Sequence, residues 1–202
     1  MKIAIRTLTA ATMGFAVSLA VAQAAPVPTD VPGGTYRADP AHTQVVFSVL
    51  HMGFTNYTGL FSEGSGTLTF NPAHITSTKL NVSIKIHSVQ TTSNHLTEEL
   101  NSTDWLDAAK YPTATFVSSK VLPTASGAAE IAGILTFHGV SRPATISATF
   151  IGAGTNPMNK AYTIGFEGTT KIRRSDFGVS KYVPLVGDDV TLKIAGAFEK
   201  QS

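Results

Sequence analysis

The sequence predicts an all-β chain whose eight strands close into an antiparallel up-and-down β-barrel, with a short helical insert between strands 3 and 4. Three observations carry this. Stretches of two-residue alternation between apolar and polar side chains recur along the chain, the pattern of a sheet with one dry and one wet face. The joins carry turn chemistry: Asn71-Pro72, Pro123 to Gly127, His138-Gly139, Gly152-Ala153-Gly154 and Gly187-Asp188. The period turns helical in one place only, between Ser93 and Ala109. Eight one-faced strands in one sheet leave two exposed edges unless the sheet closes. A two-sheet sandwich is the alternative that the pattern leaves open.

The first 24 residues read as a signal peptide: Lys2 and Arg6 lead, an uncharged run follows from Leu8 to Val21, and Ala22-Gln23-Ala24 is a small-x-small cleavage site. An uncleaved anchor is the alternative. Residues 25–34 then form a short N-terminal tail, and residues 35–202 the barrel domain. Removing Lys2 and Arg6 leaves 13 basic against 13 acidic side chains. No basic field remains to draw nucleic acid or anionic lipid, so neither nucleic acid nor stable membrane insertion is expected. The chain has no cysteine, which excludes a thiol nucleophile, a thiolate metal site and a lipoprotein anchor.

The first strand, Arg37 to Leu50, sets Val45, Phe47 and Val49 against Gln44 and Ser48. Gly64 to Phe70 follows, with Gly66, Leu68 and Phe70 on the apolar face. The third, Leu80 to Ser88, alternates Leu80, Val82, Ile84 and Ile86 with Asn81, Ser83, Lys85 and His87. In the insert, Leu96, Leu100, Trp105 and Leu106 recur at helical spacing around Glu98 and Glu99, as a lid or a plug across one barrel end. Thr113 to Val121, with Phe116, is the fourth strand, and Ile131 to Phe137, apolar on both faces, the fifth. Ala144, Ile146, Ala148 and Phe150 mark the sixth, Ile164, Phe166, Gly168 and Ile172 the seventh, and Val190, Leu192, Ile194 and Phe198 the eighth.

Eight strands enclose a space that side chains fill or that holds one small ligand. Gly66, Gly133, Ala144, Ala148, Gly168 and Gly196 are small residues on apolar faces, and they predict an apolar tunnel unless they serve as bulges and bends. The candidate tunnel wall is Phe47 and Val49, Leu68, the trio Val82, Ile84 and Ile86, then Phe116, Ile146, Phe150, Phe166 and Ile194. Leu96, Leu100 and Trp105 join them from the insert. His51, Arg174 and Asp176 are candidates for head-group or rim contacts, with an Arg174–Asp176 ion pair closing the barrel end. No cofactor is expected beyond a long apolar ligand in that tunnel. A buried tail gains about 0.8 kcal/mol per methylene, so some twenty carbons gain roughly 16 kcal/mol gross against about 4–15 kcal/mol of association cost.

The order of short motifs resembles the YceI-like family of exported proteins. Tyr36-Arg37-Ala38-Asp39-Pro40-Ala41-His42 runs into Val45 to His51, followed by Gly59-Leu60-Phe61, Gly66 to Pro72 and the segment from Ser88 to Thr92. Asp104-Trp105-Leu106-Asp107, Tyr111 to Phe116, Gly133 to Pro143, Arg174-Ser175-Asp176-Phe177-Gly178 and Val186 to Val190 continue the match to about Glu199. The resemblance implies a lipocalin-like barrel that holds a polyisoprenoid or another long apolar molecule. It also implies a periplasmic location, to which secretion from the cell is the alternative, pairing as a homodimer and no enzymatic activity. The insert departs from the family: Ser93-Asn94-His95-Leu96 stands where many relatives carry Arg-Asp before His-Leu, and Trp105-Leu106 replaces an aromatic pair.

Two other classes remain. A hydrolytic or metal-dependent enzyme would use His42, His51 or His138, although no histidine pair has ligand spacing and no nucleophile-elbow motif occurs. An interaction module would use the barrel only as scaffold.

Overall fold

The computed structural model describes residue 27, residues 30–125 and residues 127–201. The segment read as a signal peptide lies outside them. Alternation builds eleven strand segments: β1 (Gly34–Ala38), β2 (Gln44–His51), β3 (Thr55–Phe61), β4 (Gly64–Phe70), β5 (Lys79–Lys85), β6 (Val89–Gln90), β7 (Thr113–Ala125), β8 (Ala128–Phe137), β9 (Val140–Thr155), β10 (Tyr162–Arg173) and β11 (Val186–Lys200). Helix α1 (Asn94–Asn101) interrupts them.

Every ladder is antiparallel, and β11 closes the ring by pairing with β10 on one side and with both β1 and β2 on the other. β1 and β2 thus form one broken barrel strand, as do β3 with β4 and β5 with β6. Counted this way, the ring has eight strands and is the expected closed barrel, not a sandwich.

The breaks are where the sequence reading and the structure differ. The expected single strand from Arg37 to Leu50 is interrupted because the Asp39 carboxylate accepts the Ala41 N–H at 2.9 Å and binds His42, a local turn that competes with the ladder. β3 has no counterpart in the expected strand list and forms the upper part of the second barrel strand. Ser88, buried in a 3₁₀ turn, holds the other two breaks: its Oγ accepts the N–H groups of Ser62 and Glu63 at 3.2 and 3.3 Å and donates to the Lys85 carbonyl at 2.6 Å.

Two buried clusters close the barrel. At the lower end, Tyr36, Phe70, Phe150, Ile164 and Phe198 pack with Val31, and Val27 leans against them, so the segment expected as a tail contributes to the core. Phe166 stands at the centre of three ring contacts, to Phe150 at 6.0 Å, Phe70 at 6.2 Å and Phe198 at 6.4 Å. The upper end gathers the turn at 52–54, the segment 91–112 with α1, the His138-Gly139 turn and the loop 174–185. There Ile86, Val89, Trp105, Leu106 and Val179 form the second cluster.

Candidate functional site: an apolar cavity under a tryptophan latch

Between the two clusters lies a cavity of about 380 Å³ whose wall is almost entirely carbon. The inward positions of the strands supply it. Phe47, Val49, Leu68, Val82, Ile84, Ile86, Phe116, Ile146, Phe150, Phe166 and Ile194 all line it, and the insert adds Leu100, Trp105 and Leu106. Leu96 does not reach it. Of the α1 side chains only Leu100, in its last turn, lines the cavity, and Leu96 sits a turn earlier, half-buried beside the Ser93 cap.

The small residues divide by role. Ala144, Ala148, Gly168 and Gly196 border the cavity and leave it room. Gly66 and Gly133 do not. Gly66 has φ +136°, and a Cβ there would lie 2.2 Å from the Asn81 carbonyl oxygen; one on Gly133 would meet the Val117 carbonyl at 2.4 Å, beside a bulge in the β7–β8 ladder. These two serve close backbone approach.

The upper end carries the only buried charged side chain among the described residues, Arg174. Asp176 is not its partner: it lies exposed on the outside of the 3₁₀ turn Arg174–Phe177, while Arg174 turns inward. The guanidinium instead donates to four carbonyls, from Nε to Gly187 at 2.8 Å, from Nη1 to Val179 at 2.9 Å, and from Nη2 to Lys181 and Val186 at 2.9 and 2.8 Å. Burial pulls its pKa below the usual arginine range, and the nearby Asp188 charge opposes this. Of its five N–H groups, one on Nη1 stays uncommitted. His51 lines no part of the cavity; it sits at the rim against Tyr57, ring centroids 6.3 Å apart.

Arg174 also fixes Trp105. Its guanidinium carbon lies 5.6 Å from the indole centroid and Lys181 Nζ 5.7 Å, while the Tyr182 ring meets it edge-on at 6.0 Å. The indole N–H donates to Glu99 Oε1 at 3.0 Å, and Lys181 bonds Asp104 at 3.0 Å. The insert is therefore latched to the loop 174–185 by cation–π and hydrogen-bond contacts around one ring. Sequence reasoning found Trp105 and Arg174 but not their partnership. It missed Val179, in a loop with no periodicity, and Val186, at the start of β11, which line the same end; the one available signal was the apolar composition of residues 179–186.

Asp188 anchors this loop from outside, its carboxylate accepting the Ser175 N–H at 2.9 Å and Oγ–H at 2.8 Å and pairing with Arg173 at 2.9 Å. Burial alone would raise its pKa, but these bonds hold it below the usual aspartate range. A lowered native pKa gives stability that is present above the unfolded-state value and lost as pH falls through the native one. Denaturation midpoints followed into the acid range are expected to fall less steeply for Asp188→Asn than for the parent; parallel curves would remove Asp188 from the acid response.

His42, His51 and His138 are not brought together. β2 separates His42 from His51, and His138 is turned to the Phe177 carbonyl at 3.0 Å and against Tyr111. No cluster of three His, Asp or Glu side chains with metal-binding geometry occurs among the described residues.

The motif order and the barrel meet in one comparison: the model of the YceI-like domain matches residues 36–198. The chain belongs to the YceI-like family. A UPF0312 protein of Vibrio parahaemolyticus is 35% identical over 186 residues, covering 90% of this chain and 96% of the relative. The crystal structure of Burkholderia cenocepacia BcnA superposes with a TM-score of 0.71 at 27% identity, covering 79% of this chain and 98% of that one. A polyisoprenoid-binding domain from Saccharophagus degradans, implicated in plant cell wall breakdown, shares the fold with a TM-score of 0.62 at 14% identity, over 82% and 98% of the two chains. In this YceI-like chain two residues of the insert have a structural role that the geometry shows. Ser93 Oγ caps α1 by accepting the Leu96 N–H at 3.3 Å, and Trp105 is the latch.

Proposed function

We propose that this YceI-like barrel binds one long apolar lipid, of isoprenoid or isoprenoid-quinone type, in its cavity, and that it sequesters or carries that lipid in the periplasm without catalysing a reaction on it. The observation that supports this most is the cavity itself: about 380 Å³ of carbon-lined space in a barrel that its own side chains do not fill. Small-molecule sites occupy about 300–1,000 Å³. The uncommitted Nη1 N–H of Arg174, at the upper end of that space, is a handle for one oxygen of a head group, and the fold shared with a polyisoprenoid-binding domain agrees with a tail of this kind.

Native mass spectrometry of protein purified without detergent tests the reading. A mass increment of a single lipid is expected, with an isoprenoid recovered by organic extraction; the same spectra read whether two copies pair. Protein that emerges empty and takes up no prenyl quinone afterwards would overturn the proposal.

A further inference from the structure

Five large apolar side chains stand exposed on two touching loops at the upper end of the barrel. Leu50, Met52 and Phe54 lie on and beside the β2–β3 turn, exposed by 48%, 51% and 86%, and Tyr182 and Leu185 on the loop before β11, by 54% and 65%. The loops are bonded to each other: the Met52 N–H donates to the Leu185 carbonyl at 2.8 Å. Tyr182 in turn packs against the latch, its ring 6.0 Å from that of Trp105. Neither residues 50–54 nor residues 182–187 contain an Asp, Glu, Lys or Arg.

We infer that this rim is a lipid-surface docking site, which sets the latch end of the barrel on a bilayer so that the cavity loads from, or delivers to, the membrane. The inference rests on the cavity reading above and adds the route. Continuity with the cavity supports it, since Tyr182 touches both the rim and the latch. At ~200 Å² per side chain the five make an apolar patch of roughly 600 Å², at the upper end of the about 300–600 Å² of the largest patch on a typical monomer, where such patches mark interaction surfaces. Its shape agrees, for Phe54 stands at a tight turn, with Met52 and Gly53 at φ +52° and +75°. A convex apolar tip enters the acyl boundary at little desolvation cost where the ions at its margin are already paired, as are Lys181 beside Tyr182 with Asp104 and Lys171 near Leu50 with Asp189. The contact proposed is peripheral, made by the rim side chains alone; no helix among the described residues is long and apolar enough to cross a membrane.

The test is flotation with phosphatidylcholine vesicles, with and without added phosphatidylglycerol, comparing the exported protein with Phe54→Asp/Leu185→Asp and with Met52→Asp. The N-terminus is common to all three, so its contribution cancels. The parent is expected to float with both vesicle types, and the double variant to bind about tenfold more weakly or less, with Met52→Asp between them. Transfer of a prenyl quinone from the vesicles should slow in parallel, while loading from an ethanol stock stays equal. Equal flotation of parent and variants, or none by the parent, overturns the inference. So does a parent dimer that the double variant loses in sedimentation, because a second copy then covers the rim. Failure of every protein to load from ethanol would count against the cavity reading instead and leave the flotation result standing.

Discussion

Replacing Arg174 by methionine is expected to destabilise the protein by about 3–5 kcal/mol, the largest effect of any single change at the cavity. The side chain has almost no exposure, and it gathers the carbonyls of Gly187, Val179, Lys181 and Val186, which belong to three stretches of one loop and the start of β11. Methionine fills the space but leaves four oxygens without their donor, and an unpaired buried carbonyl costs about 1–3 kcal/mol before relaxation. Arg174→Lys should recover only part of the loss, because an ammonium has three donors on one atom and cannot span four acceptors set around a planar fork. Urea midpoints measure the stability. Emission from Trp105, the only tryptophan, reports whether the latch has loosened, since the variant removes one of the two cations that lie against its ring. A midpoint shift below about 1 kcal/mol would show that the loop holds its shape without the guanidinium.

The second large effect concerns capacity. Ala148→Phe is expected to reduce lipid binding at least about tenfold while the protein remains folded. Ala148 borders the cavity between Ala129 on β8 and Gly168 on β10, so a phenyl ring there faces small neighbours and extends into the space a tail would use. Each displaced methylene forfeits about 0.8 kcal/mol of burial, and two displaced methylenes already exceed a tenfold change. Gly168→Leu acts in the same direction with more strain, because its Cβ would lie 3.0 Å from Ile146 Cγ2. Titration with a prenyl quinone, beside a thermal melt to confirm folding, decides the matter. Undiminished uptake by a folded Ala148→Phe protein would place the ligand elsewhere.

These two residues also show what the sequence could and could not disclose. Ala148 was legible as a cavity residue because strand periodicity assigns a face, and a small side chain on the apolar face of a closing sheet implies room behind it. The same rule failed for Gly66 and Gly133, where the glycine answers to a neighbouring backbone that no local pattern encodes. Arg174 was legible as a charged residue near a barrel end, but its partners were not. The reading paired it with Asp176, two residues away, whereas the short turn points the two side chains in opposite directions. The carbonyls that bind it come from as far as Gly187, and carbonyls leave no trace in a sequence. β3 went unlisted for a related reason. A strand that bends at Ser62 and Glu63 depends on Ser88, and a hydroxyl 25 residues distant sets a kink that periodicity cannot announce.

The three broken strands are neighbours in the ring, and this has a mechanical consequence. From β7 to β11 the ladders run on with only local bulges, and these five strands make a stiff shell. The remaining three are a jointed panel, creased at each break and riveted in part by a single buried hydroxyl. The insert and its latch are suspended from the last strand of that panel. If the barrel takes the proposed lipid and has to widen for it, the panel is the side expected to yield first, since its strands are broken and those of the shell are continuous.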